Sequence, residues 1–213
     1  MKYRAVFSMI QMVKGWMVMN NYKTNFQLIF ASTFESLTNE DGYLINQKDL
    51  SCYELNDKAI AILRTSKNAK ENNRIALNEF GFELPAALSI TMGNDNLSCL
   101  WISPDEFWII HSQFQRDLLW KRKNNLPDTM SLVDNSAAYG TLIFRGSKTN
   151  ELLSHWMSYD LSAKLTIGKV ASTTFGKAPI IIYQEKKNEL TMLVRHSFSH
   201  YVAALLVDSA KRL

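Results

Sequence analysis

The sequence is poor in the residue patterns that small catalytic and metal-binding motifs require. Two cysteines, Cys52 and Cys99, are far apart in the chain and form no Cys-x-x-Cys pair, so the sequence predicts neither a zinc site nor a disulfide framework. The eight glycines are scattered singly, and no phosphate-binding loop, dinucleotide fingerprint or Gly-x-Ser-x-Gly elbow occurs. Such cysteine usage is typical of a reducing compartment, and we expect a cytoplasmic protein.

The positive charge of the chain is concentrated at its N-terminus. A formal net charge of +4 first suggests a nucleic-acid partner. Four of the 24 basic residues lie in residues 1–23, which contain no acidic residue, so the rest of the chain holds 20 basic and 20 acidic residues. A basic run, Lys121-Arg122-Lys123, ends a predicted helix, where cations interact favourably with the helix dipole. Since there is also no Arg/Gly-rich arm, we predict no nucleic-acid partner.

The first residues contain an apolar stretch, Ala5–Val13, between basic residues. This stretch is too short to span a bilayer, and no small-x-small cleavage site follows it. We therefore predict no membrane partner. Our hypothesis is that the native start is Met17 or Met19, which makes residues 1–23 a basic N-terminal extension that begins with a non-native leader.

The chain contains an internal repeat of about eighty residues. Ala59–Arg64 and Thr141–Arg145 each open a unit of strand, helix, aromatic-x-Leu turn, two apolar strands and a second helix. The spacing between the two units is 81 residues for the arginines that end these strands. A period of this length is too long for a solenoid repeat. We predict an α+β fold of two similar lobes, each a mixed or antiparallel sheet with packed helices, related by a pseudo-two-fold axis.

The predicted lobe boundaries follow this repeat. We assign residues 24–125 to the first lobe and residues 126–213 to the second, because a wholly polar run and Pro127 separate them. Within the first lobe, Asn25–Phe30 is strand-like in composition, whereas the polar stretch Ser32–Asp49 predicts a loop or arm. A binding site between two such lobes would be typical.

Apolar spacing predicts the main elements inside each lobe. Leu97–Ile102 and Phe107–His111 are predicted strands of a hairpin, joined by a proline-containing turn. Gly81 is expected to end one helix, and Gly146-Ser147 to end a strand and cap the next helix. The helix positions expected to be buried are Ala69, Ala76, Leu77 and Phe80, then Leu152, Leu153, Trp156 and Met157, and finally Phe198, Tyr201, Val202, Leu205 and Leu206.

Isolated polar motifs give weak signals for chemistry. His196 and His200 have the i, i+4 spacing of a helical metal site, but no glutamate adjoins them as in metalloprotease helices. A solvent-facing or capping pair is the simpler interpretation, and we predict no metal ligand. Asp134-Asn135-Ser136 places a carboxylate beside a hydroxyl, yet these residue types more often form a side-chain-to-backbone turn. His111 and His155 are predicted to be core or surface histidines.

Several motifs together resemble one known family. Leu84-Pro85 and Leu100–Phe107 (LWISPDEF) resemble the Leu-Pro and Leu-Trp-x-Gly-Pro-Asp-Glu-Trp patterns of the gamma subunit of heterotetrameric sarcosine oxidase. Ser103 replaces the family's usual glycine, and His196 stands where an arginine is common. The resemblance covers residues 59–213. Later landmarks follow in the same order: Asp134-x-Ser136, Gly146, Tyr159-Asp160-Leu161, Gly168 and His196-Ser197-Phe198.

The gamma subunit family is itself similar to the folate-binding aminomethyltransferases, so the resemblance implies their N-terminal fold. Those enzymes carry a Gly-Gly-x-x-Asp-Asp type segment whose aspartate acts in catalysis. The corresponding stretch here, Phe175–Ile180 (FGKAPI), has no acidic residue. Because a general acid or base must lie within hydrogen-bond reach of its proton, the resemblance implies no catalytic and no cofactor-binding residue in this chain.

The resemblance implies a role inside a larger enzyme. The complex oxidises sarcosine to glycine, producing hydrogen peroxide and formaldehyde or, with tetrahydrofolate, methylenetetrahydrofolate. The partners are the alpha, beta and delta subunits, which hold FAD, FMN, NAD, zinc and tetrahydrofolate, and the gamma subunit packs on alpha and stabilises the assembly. Aromatic residues commonly anchor such interfaces. The hypothesised interface residues are Trp101, Phe107, Trp108, Trp120 and Trp156.

The residues also leave another function open. A free-standing folate-binding protein or aminomethyltransferase-like enzyme would use the cleft between the lobes. It needs an acid in that cleft, which Asp134 or Asp160 would have to supply. Binding of tetrahydrofolate by the isolated chain distinguishes this alternative from a non-catalytic subunit.

Overall fold

A computed structural model of the chain describes residues 32–66 and 69–213. The described residues form strands and α-helices joined by short turns and 3-10 segments. The strands are β1 (Tyr43–Gln47), β2 (Leu50–Glu54), β3 (Lys58–Thr65), β4 (Ile90–Met92), β5 (Ser98–Ser103), β6 (Glu106–Ser112), β7 (Met130–Asp134), β8 (Tyr139–Arg145), β9 (Lys169–Phe175), β10 (Ala178–Lys186) and β11 (Glu189–Arg195). The helices are α1 (Ala69–Phe80), α2 (Arg116–Lys123), α3 (Thr149–Ser154), α4 (Leu161–Lys164) and α5 (Ser199–Ala210).

These strands form two antiparallel sheets. The first sheet has the order β4-β5-β6-β3-β7, and the second sheet has the order β1-β2-β8-β11-β10-β9. The predicted hairpin is confirmed as β5 and β6, whose register pairs Leu100 with Trp108 and Trp101 with Phe107. The predicted α+β class of two similar sheets with packed helices is also confirmed.

The two sheets pack face to face between two layers of helices. Because side chains alternate across a strand, Ile60 of β3 faces the second sheet while Ala61 and Leu63 face the helices. The core between the sheets includes Trp108 from the first sheet and Leu193 from the second. Helices α1 and α2 cover the outer face of the first sheet, and α3, α4 and α5 cover that of the second.

The predicted duplication is confirmed by the order of elements. The succession strand, helix, three strands and helix occurs as β3-α1-β4-β5-β6-α2 and again as β8-α3/α4-β9-β10-β11-α5. Equivalent strands take equivalent places in the two sheets. The cross-strand ion pair between Arg64 and Glu106 is matched by Arg145 and Glu189, so the repeat extends to individual contacts.

The strand that precedes each repeat in the sequence pairs within the sheet of the other repeat. Strand β2, which precedes β3, pairs with β8 of the second repeat. Strand β7, which precedes β8, pairs with β3 of the first repeat. The registers agree: Glu54 is opposite Leu142, and Asp134 is opposite the equivalent residue Ala61. The two repeats are therefore joined by a reciprocal exchange of strands.

The edges β4 and β9 meet where the two sheets approach each other. A bridge pairs Ser89 with Lys169, the Ile90 N–H donates to the Gly168 carbonyl, and the Val170 N–H donates to the Leu88 carbonyl. These bonds partly satisfy two edges that would otherwise expose unpaired backbone groups. The seam connects the two repeats a second time.

Some sequence expectations need correction. Ser32–Asp49 is not a loop throughout, because Leu44 and Ile45 are buried and form part of β1. Leu77, Trp156 and Tyr201 are exposed rather than buried. Trp156 lies in the turn after α3, and the core-facing stripes of α1 and α5 are narrower than the apolar pattern suggests. Lys148, not Ser147, precedes α3 and makes no side-chain cap.

The predicted lobe boundaries do not coincide with the membership of the sheets. Strands β1 and β2 come from residues 24–125 but lie in the second sheet, and β7 comes from residues 126–213 but lies in the first. The division into those two domains stays a prediction. The predicted strand Asn25–Phe30 and the extension 1–23 lie outside the described residues.

Candidate functional site

Two of the five hypothesised interface aromatics lie in the cores. Phe107 and Trp108 are 5% and 4% exposed on opposite faces of β6. The Trp108 indole N–H donates to Glu106 Oε1 at 2.8 Å, and its ring meets Tyr139 edge to face with centroids 4.9 Å apart. Packing in the two cores accounts for both aromatic side chains.

The other three aromatics are closer to solvent. Trp101 and Trp120 are half-buried against the core under α1 and α2. Trp156 is 37% exposed, and its indole N–H donates to Ser209 Oγ at 2.8 Å. It borders a surface depression of about 310 Å³ that is also lined by His155, Ser209 and Arg212. The assignment of the five aromatics to an interface stays a prediction.

Asp134 and Ser136 form the predicted turn. The Asp134 carboxylate accepts the Ser136 hydroxyl at 2.6 Å and the Ser136 N–H at 3.0 Å, and Arg116 donates to its other oxygen at 2.7 Å. Ser136 Oγ in turn accepts the Ile60 N–H at 3.1 Å. Partial burial raises the pKa of Asp134, but the hydrogen bonds from Ser136 and Arg116 outweigh it and hold that pKa below its ordinary value.

Glu54 is the equivalent of Asp134 in the other sheet, and sequence reasoning missed it. Its carboxylate accepts the N–H groups of Thr33 and Phe34 at 3.0 and 2.9 Å and the hydroxyl of Ser32. Phe34 is fully buried in the second core. The 80-residue spacing between Glu54 and Asp134 was the available signal. Each carboxylate ends an exchanged strand and fixes an adjoining segment to it.

The histidines lie in different surroundings. His111 is 1% exposed, and burial lowers the pKa of its imidazole. His155, His196 and His200 are exposed, and His196 Nε2 lies 2.8 Å from Thr33 Oγ1. Within residues 32–66 and 69–213, no three His, Cys, Asp or Glu side chains are grouped as metal ligands. The absence of a metal site in the chain stays a prediction.

The segment that corresponds to the acidic aminomethyltransferase motif forms the turn between β9 and β10. Gly176 has φ +57°, and a Cβ there would lie 2.6 Å from the Tyr201 hydroxyl oxygen. That hydroxyl accepts the Lys177 N–H at 3.1 Å, and the Gly176 N–H donates to the Trp156 carbonyl at 2.8 Å. The turn is thus packed against α5 and the end of α3.

Two further sequence features have a clear place in the structure. Cys52 and Cys99 are free and buried in different cores. Burial raises the pKa of both thiols, which keeps them protonated and poorly nucleophilic.

Among the described helices, none has the length and apolar character that crossing a bilayer requires.

Two solved structures have folds similar to that of this chain. A heterotetrameric sarcosine oxidase from Corynebacterium sp. U-96, in complex with pyrrole 2-carboxylate, contains a chain with TM-score 0.72 and 19% identity. The match covers 85% of this chain and 95% of that one. The glycine cleavage system aminomethyltransferase T from Bartonella henselae has TM-score 0.58 and 10% identity, and 76% of this chain matches 46% of that enzyme. The predicted likeness to the aminomethyltransferase fold is confirmed.

Comparison with protein families identifies the group to which the sequence belongs. A search of curated protein sequences finds no significant match. The family model that matches, over residues 70–212, is that of the sarcosine oxidase gamma subunit. This range runs from the start of α1 to the last helix, so it includes the second repeat and the first repeat except β3. The chain therefore belongs to the sarcosine oxidase gamma subunit family.

Proposed function

We propose that the chain is the non-catalytic gamma subunit of a heterotetrameric sarcosine oxidase complex and that it stabilises the assembly by packing on the alpha subunit. The complex demethylates sarcosine oxidatively to glycine, with hydrogen peroxide and formaldehyde or methylenetetrahydrofolate as the other products. The observation that carries the proposal is a family match over residues 70–212, joined to a fold match that covers 95% of a chain in such a complex.

The turn between β9 and β10 supports a non-catalytic role. In the aminomethyltransferase pattern the corresponding segment carries the catalytic aspartate, whereas Gly176 and Lys177 occupy this turn. The Tyr201 hydroxyl and the Trp156 carbonyl accept its backbone N–H groups. A catalytic acid must lie within hydrogen-bond reach of substrate, and this turn supplies none.

The two other acids considered for folate chemistry have structural partners. Asp134 is bound by Ser136 and Arg116. Asp160 caps α4, because its carboxylate accepts the Ala163 N–H at 3.0 Å. Their hydrogen bonds account for both carboxylates, so neither requires a catalytic role.

The remaining parts of the enzyme belong to the partners in this proposal. The alpha, beta and delta subunits hold FAD, FMN, NAD and zinc, and they bind tetrahydrofolate. The gamma subunit contributes contact area: stable protein interfaces bury about 1,200–2,000 Å² of surface in total, which a chain of this size can supply. Its place of action is the cytoplasm.

Co-purification tests the proposal. The full chain is produced with an affinity tag, alone and together with candidate alpha, beta and delta subunits. We expect the larger subunits to elute with the tagged chain, with a yellow flavin spectrum and sarcosine-dependent formation of peroxide. Asp134→Asn and Asp160→Asn are matched variants, and complexes that contain them should keep the turnover per flavin.

Other outcomes would contradict the proposal. A colourless, stable monomer in both preparations removes the assignment as an oxidase subunit. Measurable binding of tetrahydrofolate by that monomer would favour the free-standing folate-binding protein instead. A large loss of turnover per flavin in either aspartate variant, in an intact complex, would show that the chain takes part in chemistry.

A further inference from the structure

The two sheets differ at one edge. Beyond β8, the second sheet continues with two strands, β2 and then β1. Beyond the equivalent strand β3, the first sheet continues with β7 and no further described strand. The pseudo-two-fold relation thus leaves the counterpart of β1 without a strand among the described residues. We call the outer side of Met130–Asp134 the β7 edge.

The hydrogen bonds between β7 and β3 show which backbone groups of β7 point away from the sheet. The Ser66 N–H donates to the Thr129 carbonyl, and the Asn135 N–H donates to the Ile60 carbonyl. Backbone groups alternate in direction along an antiparallel strand, so Ser131 and Val133 bond to β3. The N–H and C=O groups of Leu132 therefore point outward, as those of Asp134 do. Unpaired groups in such a row are a template for another strand.

The second sheet shows what this kind of edge accepts. The counterpart of Leu132 is Cys52, which pairs with Ile45 of β1. The counterpart of Val133 is Tyr53, whose ring lies against Tyr43 of β1 with centroids 5.5 Å apart. Tyr53 is half-buried, with Tyr43 beside its ring and the Arg145 guanidinium 5.3 Å from the ring centroid.

An apolar side chain is exposed at the β7 edge, which no described strand covers. Val133 is 54% exposed on the face of the first sheet that faces the second sheet. Its strand neighbour on β3, Ile62, is only half-buried and belongs to the border of the core between the sheets. The place that Tyr43 fills over Tyr53 has no described equivalent over Val133. A strand added at the β7 edge would extend this core.

We propose that the β7 edge is the docking site for an extended segment of the larger subunit on which this chain packs. The segment adds antiparallel to β7, bonds to the backbone of Leu132 and Asp134, and places an aromatic or branched apolar side chain over Val133. This is recognition by strand addition. The occupant resembles β1 (YLINQ), an uncharged strand with an aromatic first residue. The inference rests on the proposed function.

A second copy of this chain fits the edge less well. If two β7 strands paired antiparallel about Leu132, Val133 of one copy would lie opposite Ser131 of the other. Met130 would lie opposite Asp134, whose carboxylate already binds Arg116 and Ser136. An apolar segment of a partner gives Val133 the cover that Tyr43 gives Tyr53.

A lysine on the exposed side chain tests the proposal in the tagged complex. Lysines on edge strands oppose the addition of further strands. We expect Val133→Lys to lower recovery of the larger subunits by about tenfold or more, which corresponds to about 1.4 kcal/mol of binding. Ile167→Lys is the matched control, because Ile167 is also branched and 57% exposed but lies near the seam. Val133→Thr should keep normal recovery.

Hydrogen exchange resolved to single amides gives a readout that does not depend on a variant. We expect the Leu132 and Asp134 amides to exchange rapidly in the free chain and about tenfold or more slowly in the complex. The Cys52 amide, which faces β1, is the control and should be protected in both states.

Each other outcome has a separate meaning. If the complex forms with Val133→Lys at normal yield and the two amides stay unprotected, the docking site is wrong while the proposed function stands. If the amides are already protected in the free monomer, the chain's own residues cover the edge, and if they are protected only in a dimer, a second copy does; both overturn the proposal. If the unmodified chain recovers no larger subunit, the proposed function fails and this inference fails with it.

Discussion

The first and second repeats have the same order of strands but differ in how completely the chain covers them. In the half built on the second sheet, α3, α4, α5 and the β1-β2 hairpin surround one continuous core. In the half built on the first sheet the outermost described strand is β7. Most of the described large apolar side chains that are exposed lie in this half: Leu77, Leu88, Met92, Phe114, Leu118 and Val133, against Trp156, Ile167 and Tyr201 in the other. The half of the fold built on the first sheet therefore leaves more of its described apolar side chains exposed, and the β7 edge proposed above as a docking site lies in that half.

Separating the two repeats should have the largest effect. If the chain is cut after Asn125, one fragment keeps β2 and the other keeps β7, and each lacks the strand that its own sheet takes from the other. We expect neither fragment to unfold cooperatively as a monomer, because each exposes the core between the sheets. Co-expressed fragments should assemble one to one and regain the circular dichroism spectrum of the intact chain. A single fragment that melts cooperatively as a monomer would show that the exchange is dispensable.

The β1-β2 hairpin approaches the backbone so closely at Gly146 that no side chain fits there. Gly146 has φ +113°, and a Cβ there would lie 2.2 Å from the Asp49 carbonyl oxygen. The equivalent position in the first sheet is Thr65, which lies opposite Met130, and there the adjoining strand β7 follows Thr129 rather than the turn of a β1-β2 type hairpin. We expect Gly146→Ala to lower the free energy of unfolding by at least about 2 kcal/mol, measured by urea denaturation.

Gly42 provides the control for this substitution. Its φ is +80°, but a Cβ there meets no atom within 4 Å. Gly42→Ala should cost about 1–2 kcal/mol from the left-handed backbone alone. Equal losses at Gly42 and Gly146 would mean that the close approach of the hairpin has no energetic consequence.

A buried histidine distinguishes the two repeats in their response to pH. His111 of β6 occupies the position that Val194 occupies in β11, and both side chains are buried. Burial lowers the pKa of His111 in the folded chain. Below pH about 6.5 the imidazole is therefore protonated in the unfolded chain while it is still neutral in the folded chain. The free energy of unfolding should therefore fall as pH drops from about 6.5 towards the folded pKa.

Replacing His111 with the residue of the other repeat should remove that pH dependence. We expect His111→Val to flatten the curve of unfolding free energy against pH below about 6.5, the ordinary pKa of histidine. Denaturation at several pH values measures the slope. A variant with the same slope as the parent chain would assign the dependence to other groups.

The smallest expected effect concerns the duplicated ion pairs. In both pairs the glutamate side chain is 16% exposed, and the arginines are 59% exposed for Arg64 and 55% for Arg145. Because pairs this close to solvent are weak, double-mutant cycles to alanine should give similar couplings of about 0.2–1 kcal/mol. Glu106 also accepts the Trp108 indole N–H, so Glu106→Ala alone should cost more than Glu189→Ala. Couplings that differ by several-fold would show that the repeats have diverged at this contact.

The sequence predicted what depends on local periodicity and repetition. The hairpin of β5 and β6 and the stop of α1 at Gly81 follow from apolar runs and a glycine with φ +74°. The turn of Asp134 and Ser136 follows from the hydrogen-bonding habits of these residue types.

The exchange of strands was not predictable in this way. Strands β2 and β7 pair with partners far along the chain, and nothing in their own residues says which sheet they join. The burial of Leu44 and Ile45 depends on β2 being placed beside β8, so β1 resembled a polar loop. The exposure of Leu77 and Trp156 likewise depends on how whole layers pack, which the periodicity of apolar residues does not reveal.

The most direct measurement is a cryo-electron microscopy structure of the assembled complex that resolves the backbone around β7. We predict an extended segment of the larger subunit antiparallel to Met130–Asp134, with the N–H and C=O groups of Leu132 in its ladder and an apolar side chain over Val133. An intact complex in which the β7 edge faces solvent would contradict the account. In that case the difference between the two repeats would need another explanation.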